Sequence, residues 1–306
     1  MKVFINGGLG NQLFQLAYAH QYLVKDVSAF EIVADPNPRI DRPFDLSPLL
    51  QKCRHAINAK QKSLIHTRII YLGQRILKKL SQDLLASQRI VNSKSFIEST
   101  PFVFTPPVAY DSRVYFGYFQ HWKYVESVWE TFGAELESII NEILLPFEID
   151  SFNLSKTCIV HIRRGDLVRS VETMGILDLD FYKEAILRIR KNTSNDLKFI
   201  GITDDFAGAK KISEELGLDL LLGPSELSSW QSIALMAKSK AVVCANSTFS
   251  WWGGILSAKK GGAVVIPNPW FVNWHEEVGD AFLHPNLIPV DSSFLKMKDF
   301  ETDFKD

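Results

Sequence analysis

The 306-residue sequence has little cysteine, no excess of charge and no long apolar run. It contains three cysteines, and Cys158 and Cys244 lie inside apolar runs; this suits buried strands in a reducing compartment and excludes a disulfide framework. Lys and Arg number 34 against 35 Asp and Glu, a net charge of -1, so no global field draws the chain onto nucleic acid and any basic site is local. No apolar run approaches the roughly 20 residues of a membrane span. The opening Met1-Lys2-Val3-Phe4-Ile5-Asn6-Gly7-Gly8 reads as a strand entering a glycine turn, not as a signal segment, and the expected location is cytoplasmic. No Cys or His group has zinc-ligand spacing.

What is present is enough apolar residue, 46%, to bury two cores in a chain of about two domains' length. The second half alternates short apolar runs with amphipathic stretches: Thr157 to Ile162, Phe181 to Lys191, Leu197 to Thr203, Phe206 to Leu216, Leu218 to Leu222, Ser229 to Lys240, Ala241 to Ala245, Ser250 to Lys259 and Gly262 to Ile266. That pattern predicts an α/β fold with a mainly parallel sheet covered by helices. The first half opens the same way, with strand Val3 to Ile5, a turn over Asn6 to Gly10 and a helix from about Asn11 to Lys25. A long helix from near Trp122 ends at Pro146. The expected domains are 1–150, with a variable insertion over about 54–110, and 151–306. Two such units facing each other make a cleft at the carboxyl ends of their strands. The basic stretch His66 to Lys79 reads either as a solvated helix face or as a peripheral contact with an anionic membrane.

Four strand-to-turn junctions carry candidate chemistry. In His161-Ile162-Arg163-Arg164-Gly165-Asp166, alternation puts His161 and Arg163 on one side, and adjacent guanidiniums at a strand end call for acidic partners or an anionic ligand such as a diphosphate. Arg164 and Asp166 also read as an internal pair shaping the turn. In Asn246-Ser247-Thr248-Phe249-Ser250-Trp251-Trp252, a strand runs into polar residues before a helix, where backbone N–H groups, hydroxyls and the positive dipole end suit an anion; plain N-capping is the alternative, and the tryptophans read as packing. Gly7-Gly8-Leu9-Gly10-Asn11-Gln12 lets backbone approach a ligand and adds two carboxamides, but it lacks the spacing of a dinucleotide fingerprint. Thr203-Asp204-Asp205 ends a strand in two carboxylates, read as hydrogen-bond partners of a nucleoside or, for one of them, as a helix cap. Asp178-Leu179-Asp180 has the D-x-D spacing of many divalent-ion sites, but Asp180 stands where it would cap the next helix, so no metal is expected.

Taken in order, these islands resemble the α-1,2-fucosyltransferases of glycosyltransferase family 11. The resemblance rests on Gly7 to Gln15, on Gly117-Tyr118-Phe119-Gln120 with Tyr124, on His161 to Asp166, on Thr203-Asp204-Asp205, and on Leu235-Met236 leading to Asn246 through Gly253. It implies a GT-B fold of two Rossmann-like domains and inverting transfer of L-fucose from GDP-β-L-fucose to a sugar hydroxyl, without a metal or other cofactor. By the motif, Arg163 holds the donor phosphates, Ser247, Thr248 and Phe249 wrap the same diphosphate, and Asn11 lies near the reacting sugar. The expected donor set is Gly8, Gly10, Asn11, His161, Arg163, Asp204, Asp205, Asn246, Ser247, Thr248 and Phe249. Arg163, Asn11, His161 and Asp166 are the catalytic candidates, with His161 and Asp166 as alternatives for the proton acceptor. The expected acceptor is a glycan or lipid-linked oligosaccharide. Met174-Gly175 stands where the family often has His-Gly, and Ser232 where it often has Asp. Another nucleotide sugar, or a binding protein without turnover, are the competing readings.

Overall fold

A computed structural model describes residues 2–23, 31–34, 45–52, 90–92, 95–97, 102–104, 114–144, 153–193, 196–272 and 279–295. The basic stretch His66 to Lys79 lies outside them. The chain divides into two compact units, Met1–Leu136 and Glu137–Asp306.

The first unit holds β1 (Lys2–Ile5), α1 (Leu9–Leu23), β2 (Glu31–Ala34), α2 (Ser47–Lys52), β3 (Ile90–Asn92), β4 (Ser95–Ile97), β5 (Val114–Phe116) and α3 (Trp122–Glu126). Its strands lie in the order β2-β1-β5-β4-β3, parallel except for β3 against β4. Two of these strands, β3 and β4, come from the stretch that reads as an insertion in the sequence. The period of α1 predicts Leu13, Leu16, Ala17 and Ala19 as its inward set; all four are buried, and so are Phe14 and Tyr18, because the helix is enclosed on nearly every face over residues 12–20.

The long helix expected from Trp122 is broken. After α3 the chain forms a π-helical turn, Trp129–Gly133, and then α4 (Ala134–Leu144). The Ser127 hydroxyl, at the C-cap of α3, donates to the Tyr124 carbonyl at 2.7 Å. The Trp129 ring packs over Gly133, where a Cβ would come within 3.0 Å of it. Apolar periodicity does not register such a local rewinding.

The second unit holds β6 (Thr157–Ile162), a short α5 (Val171–Met174), α6 (Leu179–Asn192), β7 (Lys198–Thr203), α7 (Phe206–Leu216), β8 (Leu220–Leu222), α8 (Ser229–Lys238), β9 (Ala241–Val243), α9 (Thr248–Ala258), β10 (Ala263–Asn268) and β11 (Ile288–Asp291). Its sheet runs β11-β10-β9-β6-β7-β8 with every neighbouring pair parallel. Counted from β6, that is the 3-2-1-4-5-6 order of a doubly wound sheet. The crossovers change direction between β6 and β9, so this pair marks the point where ligands of such sheets bind, beyond the carboxyl ends.

Strand β6 is buried along its whole length, as a central parallel strand must be. Cys158, Val160 and Ile162 face the core that includes Phe181, Ala185 and Ile189 of α6. Against the sheet packs α9, whose Trp251 and Trp252 are fully buried, with rings edge to face at 5.4 Å. The Trp251 indole N–H donates to the Phe282 carbonyl at 2.9 Å, so the tryptophans are packing residues, as their position at the start of a core helix implies. Strand β11 escapes the sequence pattern because it contains Pro289, which an edge strand tolerates.

Helix α9 lies close to the sheet because Gly254 has no side chain: a Cβ there would meet Cys244 Sγ at 2.8 Å and Val264 Cγ1 at 2.9 Å. In an open helix Gly→Ala gains about 1 kcal/mol. Here Gly254→Ala is expected to lower the unfolding free energy by about 1–3 kcal/mol through overpacking, measured by urea denaturation; a gain in stability would contradict this packing.

Candidate functional site

Beyond Ile162, the chain leaves β6 with two arginines whose fates differ. The Asp204 carboxylate, at the end of the neighbouring β7, accepts the Arg164 backbone N–H at 3.0 Å through Oδ1. Its Oδ2 lies 3.2 Å from Arg163 Nε, in an ion pair whose side chains are 17% and 20% exposed. Gly165 follows so closely over Asp204 that any Cβ there would collide with the carboxylate. Arg164 is turned into the interior, where its guanidinium donates to the Leu177 carbonyl at 2.8 Å. Arg163 is therefore the arginine held at the strand end, and Arg164 is a structural donor. Asp166 begins the second position of a 3-10 turn, Gly165–Ser170, and its side chain lies outside the described ones.

The two carboxylates of Thr203-Asp204-Asp205 separate in the same way. Asp205 is the N-cap of α7, accepting the Gly208 N–H at 3.1 Å, so of the two carboxylates it is the one that caps the helix. Asp204 belongs to the arginine turn.

Helix α9 starts beside this turn, across the β6/β9 switch point. Ser247 caps it, accepting the Phe249 N–H at 3.3 Å, and the half-buried Thr248 and Phe249 form its first turn. The Phe249 ring stands 5.6 Å from the His161 ring, joining the end of β6 to the start of α9. Fixed amides and the dipole of this 11-residue helix concentrate positive potential next to Arg163.

Asn246 is tied to backbone by one end of its carboxamide. Its Nδ2 donates to the carbonyls of Met174 at 3.0 Å and Gly175 at 3.1 Å, so the amide nitrogen holds the turn after α5 instead of a ligand. Gly175 needs that turn, with φ of +76° and Phe294 and Val272 packed where a Cβ would stand. The exposed Met174 sits at its rim. The remaining atom, Asn246 Oδ1, is buried without a hydrogen-bond partner among the described residues, as is His161 Nδ1. The two residues lie at the ends of neighbouring strands, β6 and β9, and unpartnered buried atoms are uncommon in a settled core.

Burial first, and the Arg163 guanidinium second, pull the His161 imidazole down to about 3. The ring is neutral at pH 7 and a weak proton acceptor, which argues against its use as the general base. Asp178, not Asp180, caps α6, accepting the Phe181 N–H at 3.1 Å, and it also accepts from the Ser293 hydroxyl. Among the described residues no three His, Cys, Asp or Glu side chains are grouped to hold a metal.

Gly8, Gly10 and Asn11 belong to the other compact unit and are described within it. Gly7 has φ of +78°, and a Cβ on Gly8 would meet nothing within 4 Å. Gln12, expected to face a ligand, is turned inward, donating to the Gly7 carbonyl at 2.7 Å and accepting from Asp45 N–H at 3.0 Å. Neither the Leu177 carbonyl under Arg164 nor the Met174 turn under Asn246 is legible in the sequence, because the partners stand far apart along the chain.

The family described as Glycosyl transferase family 11 matches residues 1–285. An α-1,2-colitosyltransferase of Escherichia coli is 27% identical over 287 residues, covering 87% of this chain and 90% of the relative. The O-antigen biosynthesis glycosyltransferase WbnK of Escherichia coli is 26% identical over 291 residues, covering 87% and 93%. The E. coli heptosyltransferase WaaC, solved with ADP, superposes with a TM-score of 0.50 at 12% identity, covering 95% of this chain and 93% of its own. That likeness is one of fold, and the fold is the α/β GT-B type.

Two substitutions separate the roles assigned to this turn. Asp205→Ala is expected to lower stability by about 1 kcal/mol through loss of the cap, read as a shifted denaturation midpoint with nucleotide affinity unchanged. For His161 the folded pKa lies below the unfolded value of about 6.5, so the unfolded chain binds the extra proton and stability falls as pH drops from there toward about 3. The expected slope is about 1.4 kcal/mol per pH unit from this group. His161→Gln should remove that part of the slope between about pH 6 and pH 4, and an identical slope in the variant would contradict the assignment.

Proposed function

The chain belongs to glycosyl transferase family 11, and from that premise we propose that it transfers L-fucose from GDP-β-L-fucose to the 2-hydroxyl of a β-galactoside glycan, with inversion to an α-1,2 linkage. The observation that carries this reading is Arg163, held by Asp204 at the switch point of a doubly wound sheet and beside the N-terminus of α9. A nucleoside diphosphate suits such a place, because a fork of guanidinium N–H groups and helix amides match its oxygens. The buried His161 Nδ1 and Asn246 Oδ1 would gain partners from the same ligand.

The reaction breaks the bond from the fucosyl carbon to the diphosphate oxygen and forms a bond from that carbon to the acceptor oxygen. The breaking pair of electrons stays on the diphosphate, where charge grows. Arg163 and the α9 amides stabilise that charge without reorganising, which is the work a divalent ion does in other transferases. We read the transfer as metal-independent on this account. The acceptor hydroxyl must lose its proton as the new bond forms; with His161 so weak a base, Asp166 is the carboxylate of the motif left for that role.

The curated relative named for colitosyl transfer favours a second reading in which the same site takes a colitosyl donor. The relative named for O-antigen biosynthesis supports a glycan or lipid-linked oligosaccharide as acceptor. No helix among the described residues is long and apolar enough to cross a membrane. We read the protein as an enzyme of the cytoplasm that meets a lipid-linked acceptor at the inner face of the membrane.

Incubation of the protein with GDP-fucose, a panel of β-galactosides and a chelator tests the proposal by GDP release and product linkage. Arg163→Ala should lower kcat about 10²–10³-fold. Unchanged turnover in the variant would overturn the site, loss of activity with chelator would overturn metal independence, and preference for the colitosyl donor would select the second reading.

A further inference from the structure

The first unit has its own switch point. Strand β1 lies between β2 and β5, parallel to both, so the carboxyl ends of β1 and β5 are neighbours at the place where the connections diverge. After β1 comes the glycine turn and Asn11; after β5 comes Gly117-Tyr118-Phe119-Gln120-His121. Two side chains of α1, one helical turn apart, grip the second loop. Gln15 donates to the Gly117 carbonyl at 2.9 Å and exchanges hydrogen bonds with Asn6, accepting its N–H at 2.9 Å and donating to its Oδ1 at 3.2 Å. Asn11 accepts from Gln120 Nε2 at 2.8 Å.

The loop bends back to α1 at Phe119, which has φ of +52° although it is not glycine. Such a conformation costs roughly 1–3 kcal/mol and persists only where the surroundings compel it. Here they do: the Phe119 ring is fully buried and stacked on Tyr18, with centroids 3.7 Å apart and planes 3° from parallel. Strain is spent at one residue so that the next, Gln120, reaches Asn11. On the other side of the Asn11 carboxamide is Gly7, where a Cβ would come within 2.7 Å of Nδ2. The oxygen is thus held by Gln120, and the nitrogen has its place because residue 7 has no side chain.

We infer that Gln120 is a positioning residue for Asn11, setting which way round its carboxamide stands at the carboxyl end of β1. The inference rests on the proposed function and on the family resemblance, which implies that Asn11 lies near the reacting sugar. A carboxamide turned over swaps its donor and acceptor edges, and so offers a sugar hydroxyl or phosphate oxygen the wrong partner.

The test exploits that asymmetry. Gln120→Glu keeps the size of the side chain but can only accept, so Asn11 must turn over to bond it. With GDP-fucose and the best β-galactoside, kcat should fall about a hundredfold, the scale of a misplaced reacting group, with the donor KM little changed. The same change in an Asn11→Ala background should cost no more than about twofold, because the two residues act as one unit. A kcat in Gln120→Glu within about twofold of the parent enzyme, or full additivity of the two changes, would overturn the inference. Absence of turnover in the parent enzyme with any nucleotide sugar would instead strike at the proposed function. In that case the Asn11 side-chain NH2 resonance, assigned through Asn11→Asp, decides the matter: it should shift in Gln120→Glu, and an unmoved resonance would overturn the inference on its own.

Discussion

A single carboxylate organises the second unit's strand ends. Asp204 takes the Arg164 backbone N–H on one oxygen and stands against Arg163 Nε with the other. With the backbone pinned there, the two arginines diverge, Arg164 into the interior and Arg163 along the strand end. The pair is partly exposed, so its worth to stability is modest, on the order of a surface ion pair in energy. Its worth to the site is geometric. A guanidinium kept beside a carboxylate by charge is confined before an anion arrives, and that pre-organisation is what makes a fixed charge useful to a reaction.

The same residues that shape the site also tie it to the core. Asn246 is bonded to the turn after α5, that turn is closed by backbone bonds from Asp178 and Leu295 to the chain near it, and Ser247 immediately after Asn246 caps α9. Helix α9 in turn lies close on β9 and β10 because Gly254 permits it. Polar groups that look like ligand donors in the sequence are therefore in part holders of backbone. The buried Asn246 uses its nitrogen for that task, and its oxygen has no hydrogen-bond partner among the described residues.

Much of the fold was legible because its signals are local. The run Thr157 to Ile162 is β6, Phe206 to Leu216 is α7, and the elements between them fall within a few residues of their apolar periods. The failures have definite causes. Pro289 hid an edge strand, a π-helical turn interrupted a helix whose apolar pattern continued through it, and β3 and β4 are too short to show alternation. At the site, adjacency along the chain picked out the pair Arg163-Arg164 and the polar run before α9 as candidates, and left the roles within each to their partners.

What the amino-acid order determined by itself was the alternation of strand and helix, the buried course of β6, the glycine turn, and the placing of arginines, caps and carboxamides at strand ends. What only tertiary structure decided was the assignment of roles among look-alikes: Arg163 from Arg164, Asp204 from Asp205, Asp178 from Asp180, and Asn11 from Gln12. Each pair shares its chemistry and nearly its position. For Arg164 and Asn11 the difference lies in distant partners, the Leu177 carbonyl 13 residues away and the Gln120 amide 109 away, whereas Asp205 and Asp178 are told apart by capping N–H groups three residues on. Periodicity reports which face a residue takes, whereas hydrogen-bond direction depends on what folding has carried to that face.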